Sequence, residues 1–235
     1  MRRISDPSIV SREYAATERL AARRLDRTAW LHGEDEPWRL ALKAIAEIHP
    51  ERVLDAGCGN GDFAALIAAS VVVCVDKSEA AVAKARDRGL HAEVADIERL
   101  PFGDAEFDLV TCNWVLYHLA DLDAALSEIA RVLRPGGRFV GMYNHRDHLA
   151  ELWRLVVDSV WDEDFFDCES GPAILRRHFR RVECREAVTQ AMWETMEAAQ
   201  TFVDAFAELA GTLTAPEGPN PLKATRRNCV LVADL

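Results

Sequence analysis

Val53-Leu54-Asp55-Ala56-Gly57-Cys58-Gly59-Asn60-Gly61 carries an apolar strand into a glycine-rich turn that opens a helix. Glycines there let the backbone turn tightly and let a ligand approach without meeting a Cβ. The start of a helix favours a negative group beside it. A nicotinamide fingerprint spaces its glycines G-x-G-x-x-G, the third packing helix against strand. Here they fall at Gly57, Gly59 and Gly61, the third one position early. With acidic Asp55 before the turn, this spacing suits a ligand bearing an ammonium group better than a pyrophosphate. S-adenosylmethionine (AdoMet) has such an amino-acid tail and no phosphate.

Around this stretch, short apolar runs at 52–56, 71–75, 91–95, 107–112 and 138–143 alternate with helical patterns near 61–69, 78–88 and 121–133. Such alternation predicts a parallel sheet covered on both faces, and the right-handed crossover rule makes it doubly wound. Upstream, residues 11–33 carry a helical pattern, and a second helix follows Pro37 with Trp38, Leu42, Ile45 and Ile48 on one stripe. Downstream, helices are expected at 147–161 and 192–210, and strands at 181–188 and 228–233. These last strands would extend the sheet as a pair with a helix between them. No linker isolates a second domain, so 1–235 reads as one.

Composition narrows the classes. The chain has 235 residues, is 49% hydrophobic and 29% charged, and carries a formal net charge of -11, which opposes a nucleic-acid backbone as main partner. Arg176, Arg177, Arg180 and Arg181 read as a solvated helix end. The longest uncharged run, 63–75, is too short to span a bilayer, and Met1-Arg2-Arg3 precedes no apolar leader segment. A soluble, cytoplasmic protein is expected. Cys58, Cys74, Cys112, Cys168, Cys184 and Cys229 form no C-x-x-C pair and are expected to be reduced, buried small hydrophobes.

Four further segments carry chemistry. Asp76 ends the second apolar run, where a carboxylate can accept from both ribose hydroxyls. Asp96-Ile97 ends the third, where an acid and an apolar neighbour can hold an adenine. The fourth run leads into Asn113-Trp114-Val115-Leu116-Tyr117-His118, and Leu133-Arg134-Pro135-Gly136-Gly137 turns into the fifth. In this order and spacing, over about residues 50–145, the chain resembles the class I AdoMet-dependent methyltransferases, in particular the type 11, ubiquinone-biosynthesis-like group.

The resemblance implies a Rossmann-like seven-stranded sheet of order 3-2-1-4-5-7-6, strand 7 antiparallel. It also implies a helical lid or cap over 1–50, an AdoMet-binding core over 51–145, and acceptor-side helices with the terminal strand pair over 146–235. Asp55, Gly57, Cys58, Gly59 and Gly61 would line the methionine part of AdoMet. Asp76 would take the ribose, Lys77 would lie beside the adenine, and Asp96 and Ile97 would bracket it. Asn113 and Trp114 would face the methionine, and Tyr14 on the lid would reach the cofactor. The segment between Gly61 and Asp76 is about two residues shorter than usual in the family, which should shorten a helix or turn.

Methyl transfer is an in-line displacement that needs alignment and exclusion of water, with a base only when the acceptor loses a proton. His118 is the candidate base; Tyr117 and Tyr143 are lesser ones. His145 and His148 form a spacing that reads as a solvated helix start rather than a metal site. The acceptor is expected to be a small molecule methylated on oxygen, nitrogen or carbon. An amino-methylating nucleic-acid enzyme would carry D/N-P-P-Y/F where this chain has Asn113-Trp114-Val115-Leu116. Other RNA methylation, or a non-catalytic AdoMet-binding protein, are the alternatives.

Overall fold

In the computed structural model, residues 30–31, 36–155, 166–205 and 218–235 are described. β1 (Trp30–Leu31), β2 (Arg52–Ala56), β3 (Val71–Asp76), β4 (His91–Val94), β5 (Phe107–Thr111), β6 (Leu133–Asn144), β7 (Arg181–Trp193) and β8 (Leu222–Asp234) form one sheet. Its spatial order is β1-β7-β8-β6-β5-β2-β3-β4. Counted without β1, the seven strands stand in the expected order 3-2-1-4-5-7-6, and the last of them, β8, runs antiparallel to both its neighbours. The eighth strand is a correction. Trp30 and Leu31, inside the segment given a helical pattern, pair antiparallel with Ala191 and Gln190. β7 overhangs the sheet there, and its open edge offers backbone groups that a short extended segment can satisfy.

The inner strands β2 and β5 bury both faces, so their sequences are mostly apolar, whereas the outer β7 alternates buried and exposed residues. α1 (Pro37–Ala46) lays Ala41, Ala44 and Ile45 on one face, against Val53, Leu109, Val140, Met142, Val230 and Val232. On the opposite face, α3 (Leu122–Val132) packs Ala125, Leu126, Ile129 and Val132 against Leu54, Val110, Phe139 and Leu231. α2 (Glu79–Asp87) covers Cys74 and Ala92 with Val82 and Ala85. Ser78 and Asp121 cap α2 and α3 by accepting from the amides of Ala81 and Ala124, which satisfies donors that a helix start leaves open.

Three other expectations are revised. The helix placed at 61–69 is a single 3-10 turn, Ala64–Leu66, because Ile67 is already extended, at ψ 121°, and buried. The last two strands are far longer than read. β7 and β8 pair from Arg181↔Asp234 to Trp193↔Leu222, beyond the end of the β6–β8 ladder at Asn144↔Asn228. Their overhang, with α4 (Ala150–Trp153) and α6 (Met196–Asp204), builds a second core from Leu149, Trp153, Trp193, Phe202 and Leu222. The reading of all cysteines as reduced is also wrong. Cys168, just before α5 (Gly171–Leu175), is joined by a disulfide to Cys229 on β8 across a sequence separation of 61. The separation hid it, since nothing local pairs the two residues.

Candidate active site

The carboxyl ends of β2, β3, β4 and β5 meet along one edge, as they must in a parallel sheet. At the end of β2 the amides of Gly57 and Cys58 both donate to Val75 O, at 2.8 and 3.0 Å, folding the loop over the end of β3. All three loop glycines have positive φ: 76° at Gly57, 54° at Gly59 and 76° at Gly61. Their surroundings differ. A Cβ at Gly57 would stand 2.5 Å from Val115 Cγ2, and one at Gly61 would collide with Leu90, whereas one at Gly59 would meet nothing within 4 Å. Gly57 and Gly61 are therefore required by packing, and Gly59 alone leaves open space for a ligand. With only a 3-10 turn following, the loop's own amides supply the local positive potential, in place of the helix start expected from the sequence.

Asp76 ties this loop to the next strand. Its Oδ2 accepts from the Gly59 amide at 2.8 Å and its Oδ1 from the Ser78 amide at 2.9 Å. Burial pushes its pKa up, partly offset by these two amides. At the tip of β4, Lys77 Nζ donates to Asp96 Oδ2 at 2.8 Å. Burial raises the Asp96 pKa, but the Lys77 ammonium and the Glu98 amide outweigh it and hold the group below its ordinary value. Ile97 is 5% exposed and belongs to the main core.

Asp55 is also brought to this edge, one layer deeper. It is 2% exposed and accepts a hydrogen bond from Thr111 Oγ1 on β5 at 2.6 Å. Burial, eased by Thr111 and reinforced by the Asp76 carboxylate, raises its pKa to about 7. The Cys58 side chain turns away into the layer under α2, beside Cys74. Only its backbone faces the loop's ligand side.

After β5, Asn113 Oδ1 accepts from the Met142 amide at 3.1 Å, which fixes its amide orientation and leaves Nδ2 buried with no hydrogen-bond partner among the described residues. Trp114 follows with φ 56°, a left-handed conformation uncommon for a side-chain-bearing residue and frequent at functional sites. Its indole donates to Asn144 Oδ1 at 3.0 Å. Tyr117 and His118 lie on a 3-10 turn with ring centroids 4.3 Å apart.

Other candidates leave the site. Tyr143 is fully buried and donates to Cys112 O at 2.6 Å, which removes it as a base. His148 is buried with Nδ1 2.9 Å from Arg227 O, so it is no solvated helix start. His145 Nδ1 lies 2.7 Å from Asp147 Oδ1. Among the described residues, no group of three or more His, Cys, Asp or Glu is placed to hold a metal, and no helix is long and apolar enough to cross a membrane. Tyr14 lies outside the described residues. The sequence reading missed Thr111, Asn144 and Asn228; Thr111 and Asn144 end apolar runs, whereas Asn228 follows Arg226 and Arg227 and carried no such signal.

This edge, with its glycine loop and acidic strand tips, defines a Rossmann-like methyltransferase core. Residues 54–141 match the family model described as "Methyltransferase domain". The chain is 40% identical over 124 residues to the demethylmenaquinone methyltransferase of Mycobacterium marinum, a match covering 51% of this chain and 54% of that protein. The chain thus spans about half the length of the curated relatives it matches. Among solved structures, an AdoMet-dependent methyltransferase from Thermotoga maritima superposes with a TM-score of 0.59 at 22% identity, over 97% of this chain and 98% of that one. The cyclase SpnF superposes at 0.60 with 16% identity, over 95% of each chain. These two likenesses concern the fold.

Proposed function

We propose that the protein transfers the methyl group of AdoMet to a small-molecule acceptor. The observation that carries this reading is the pairing of Gly59 and Asp76. The loop position with open space is the one whose amide is held by a carboxylate at the neighbouring strand tip. The residues fit AdoMet. Gly59 leaves room beside the loop, Asp76 keeps lone pairs for ribose hydroxyls, and the unpaired Asn113 Nδ2 suits the methionine carboxylate. Lys77, Asp96 and Ile97 would flank the adenine, and Gly57, Cys58 and Gly61 would shape the loop rather than touch the ligand with side chains. Asp55, beneath them, would position the loop and Thr111. Trp114 and a lid bearing Tyr14 would close the methionine end.

When bound, AdoMet supplies an electrophilic methyl on its sulfonium. The chain's part is to align the acceptor with it and exclude water. His118, whose ring meets that of Tyr117 edge to face, is the proposed proton acceptor, and His118→Asn should then lower kcat by roughly 100- to 10,000-fold. An unchanged rate would assign it to shaping the site. The curated relatives bear the name demethylmenaquinone methyltransferase, so a quinol-like acceptor leads the panel we would test. The net charge of -11 argues against nucleic acid, and the cytoplasm is the proposed compartment.

Calorimetry with AdoMet, S-adenosylhomocysteine and NADH tests the cofactor. Micromolar binding of the first two is expected; NADH binding without them overturns the reading. Methyl-labelled AdoMet with an acceptor panel then separates an enzyme from a binding protein.

A further inference from the structure

The edge strip beyond β5 holds a polar array of which the proposed AdoMet site uses only Trp114. Trp114 is a donor only, so its bond to Asn144 Oδ1 fixes that amide's orientation. Asn144 Oδ1 therefore also receives Asn228 Nδ2, at 2.7 Å. That in turn fixes Asn228, whose Oδ1 is left as a buried acceptor with no hydrogen-bond partner among the described residues. The Asn228 side chain is 3% exposed, so bulk water does not serve it.

A buried acceptor without a donor forfeits the hydrogen bond it makes with water in the unfolded chain. The orientation cannot be relieved by flipping, because a flip would set two carbonyl oxygens against each other. Two residues along β8, on the same face, Arg226 is 6% exposed and paired with Glu36 at 2.9 Å. Asn144 and Asn228 face each other at the end of the β6–β8 ladder, on the face shared with Trp114 and Met142. The matched family segment stops at residue 141, so Asn144 and Asn228 belong to the part that the family likeness leaves unassigned.

We propose that Asn228 Oδ1 is a specificity-determining group that receives a hydroxyl or amine N–H from the methyl acceptor; this rests on the methyltransferase reading above. The substrate class it selects is a small molecule with a hydrogen-bond donor next to its methylated centre. Acceptors whose only polar atoms are capped, as ethers or tertiary amines, leave Asn228 unsatisfied and are rejected.

The test uses the full chain loaded with S-adenosylhomocysteine and three probes of nearly equal shape: phenol, aniline and anisole. Ligand-observed NMR titration should show phenol and aniline binding about tenfold more tightly than anisole, the discrimination expected for one buried polar group left unpaired. In Asn228→Leu that preference should fall to within about twofold, with S-adenosylhomocysteine affinity unchanged. Asn228→Gln, which keeps both an oxygen acceptor and an amide donor for Asn144 and guards against a folding defect in the leucine variant, should retain it. Equal binding of the three probes to the native chain, an unaltered preference in Asn228→Leu, or no binding of any probe would overturn the proposal and leave an ordered water as the partner of Asn228. Failure of S-adenosylhomocysteine to bind the native chain would instead remove the methyltransferase reading, and this inference with it.

Discussion

The two halves of the sheet obey different rules. From β2 to β5 the strands are parallel and short, four to six residues each, and every one ends within two residues of a position assigned to the ligand edge. From β6 to β8 the strands run twelve or thirteen residues, pair antiparallel to β8, and bury Thr189, Arg226 and Asn228. In the first half the proposed cofactor site is built mostly from backbone, through amides, turns and strand tips. In the second, side chains set the chemistry. A backbone site is shared by every sequence that keeps the turn, and the matched family segment, 54–141, coincides with it. A side-chain site can change with each acceptor, and none of the terminal hairpin lies within that segment.

The largest expected effect breaks the first half alone. Gly59→Val places a branched side chain at φ 54° into space that no protein atom fills. AdoMet binding should vanish in calorimetry while the acceptor-side core stays folded. Retained binding would mean that the ligand lies elsewhere. Gly61→Ala should behave oppositely, losing thermal stability because the new Cβ meets Leu90 and Ala85.

Next comes the second half. Replacing Cys168 and Cys229 together by Ala releases a loop spanning a sequence separation of 61, worth about 4 kcal/mol on the chain-entropy view. The melting temperature should drop, and AdoMet affinity of the folded protein should not. A matching loss of affinity would show that the halves are coupled through the Tyr143 contact to Cys168. A smaller effect returns to the cofactor edge. Asp76→Ala removes a partly buried acceptor and should weaken AdoMet by roughly 1–3 kcal/mol, again by calorimetry. Unchanged affinity would refute the ribose assignment.

The same contrast explains what could be read from sequence. The strand–helix alternation, the glycine loop and the acids at the tips of β3 and β4 were legible because each is a local pattern: an apolar run, a turn residue, an acid at fixed spacing; the strand order came from the family resemblance. Asp55 was legible as a site residue but not as a buried one, since its contact with Thr111 crosses 56 residues. The Cys168–Cys229 bond, the length of β7 and β8, and the Trp114–Asn144–Asn228 chain were not legible. Each depends on which distant strands become neighbours. β1 failed for a related reason, as two residues carry too little pattern to compete with a helical stripe.

The pH dependence is the most discriminating test, because the two halves titrate in opposite directions and their effects nearly cancel in the native protein. Burial holds the Asp55 carboxyl at about 7 in the fold against 3.8 when exposed. The folded protein therefore binds that proton more tightly, and the stabilisation is full below pH 4 and lost as pH rises towards 7. Burial, with the Arg226 charge adding to it, depresses the His148 imidazole from 6.5 to about 4. There the unfolded chain binds the proton more tightly, so stability is full above 6.5 and lost as pH falls towards 4. At 1.36 kcal/mol per pKa unit, each swing is on the order of 3–4 kcal/mol. Asp55→Asn should leave a chain that gains stability, relative to the native protein, as pH rises from 4 to 6.5, and His148→Phe one that loses it over the same window. The double variant should follow the native pH dependence to within about 1 kcal/mol, because the opposing terms are removed together. Urea unfolding at half-unit steps measures all four curves. If the single variants parallel the native protein, neither group is buried with its charge suppressed, and the contrast between a backbone-built and a side-chain-built half loses its electrostatic support.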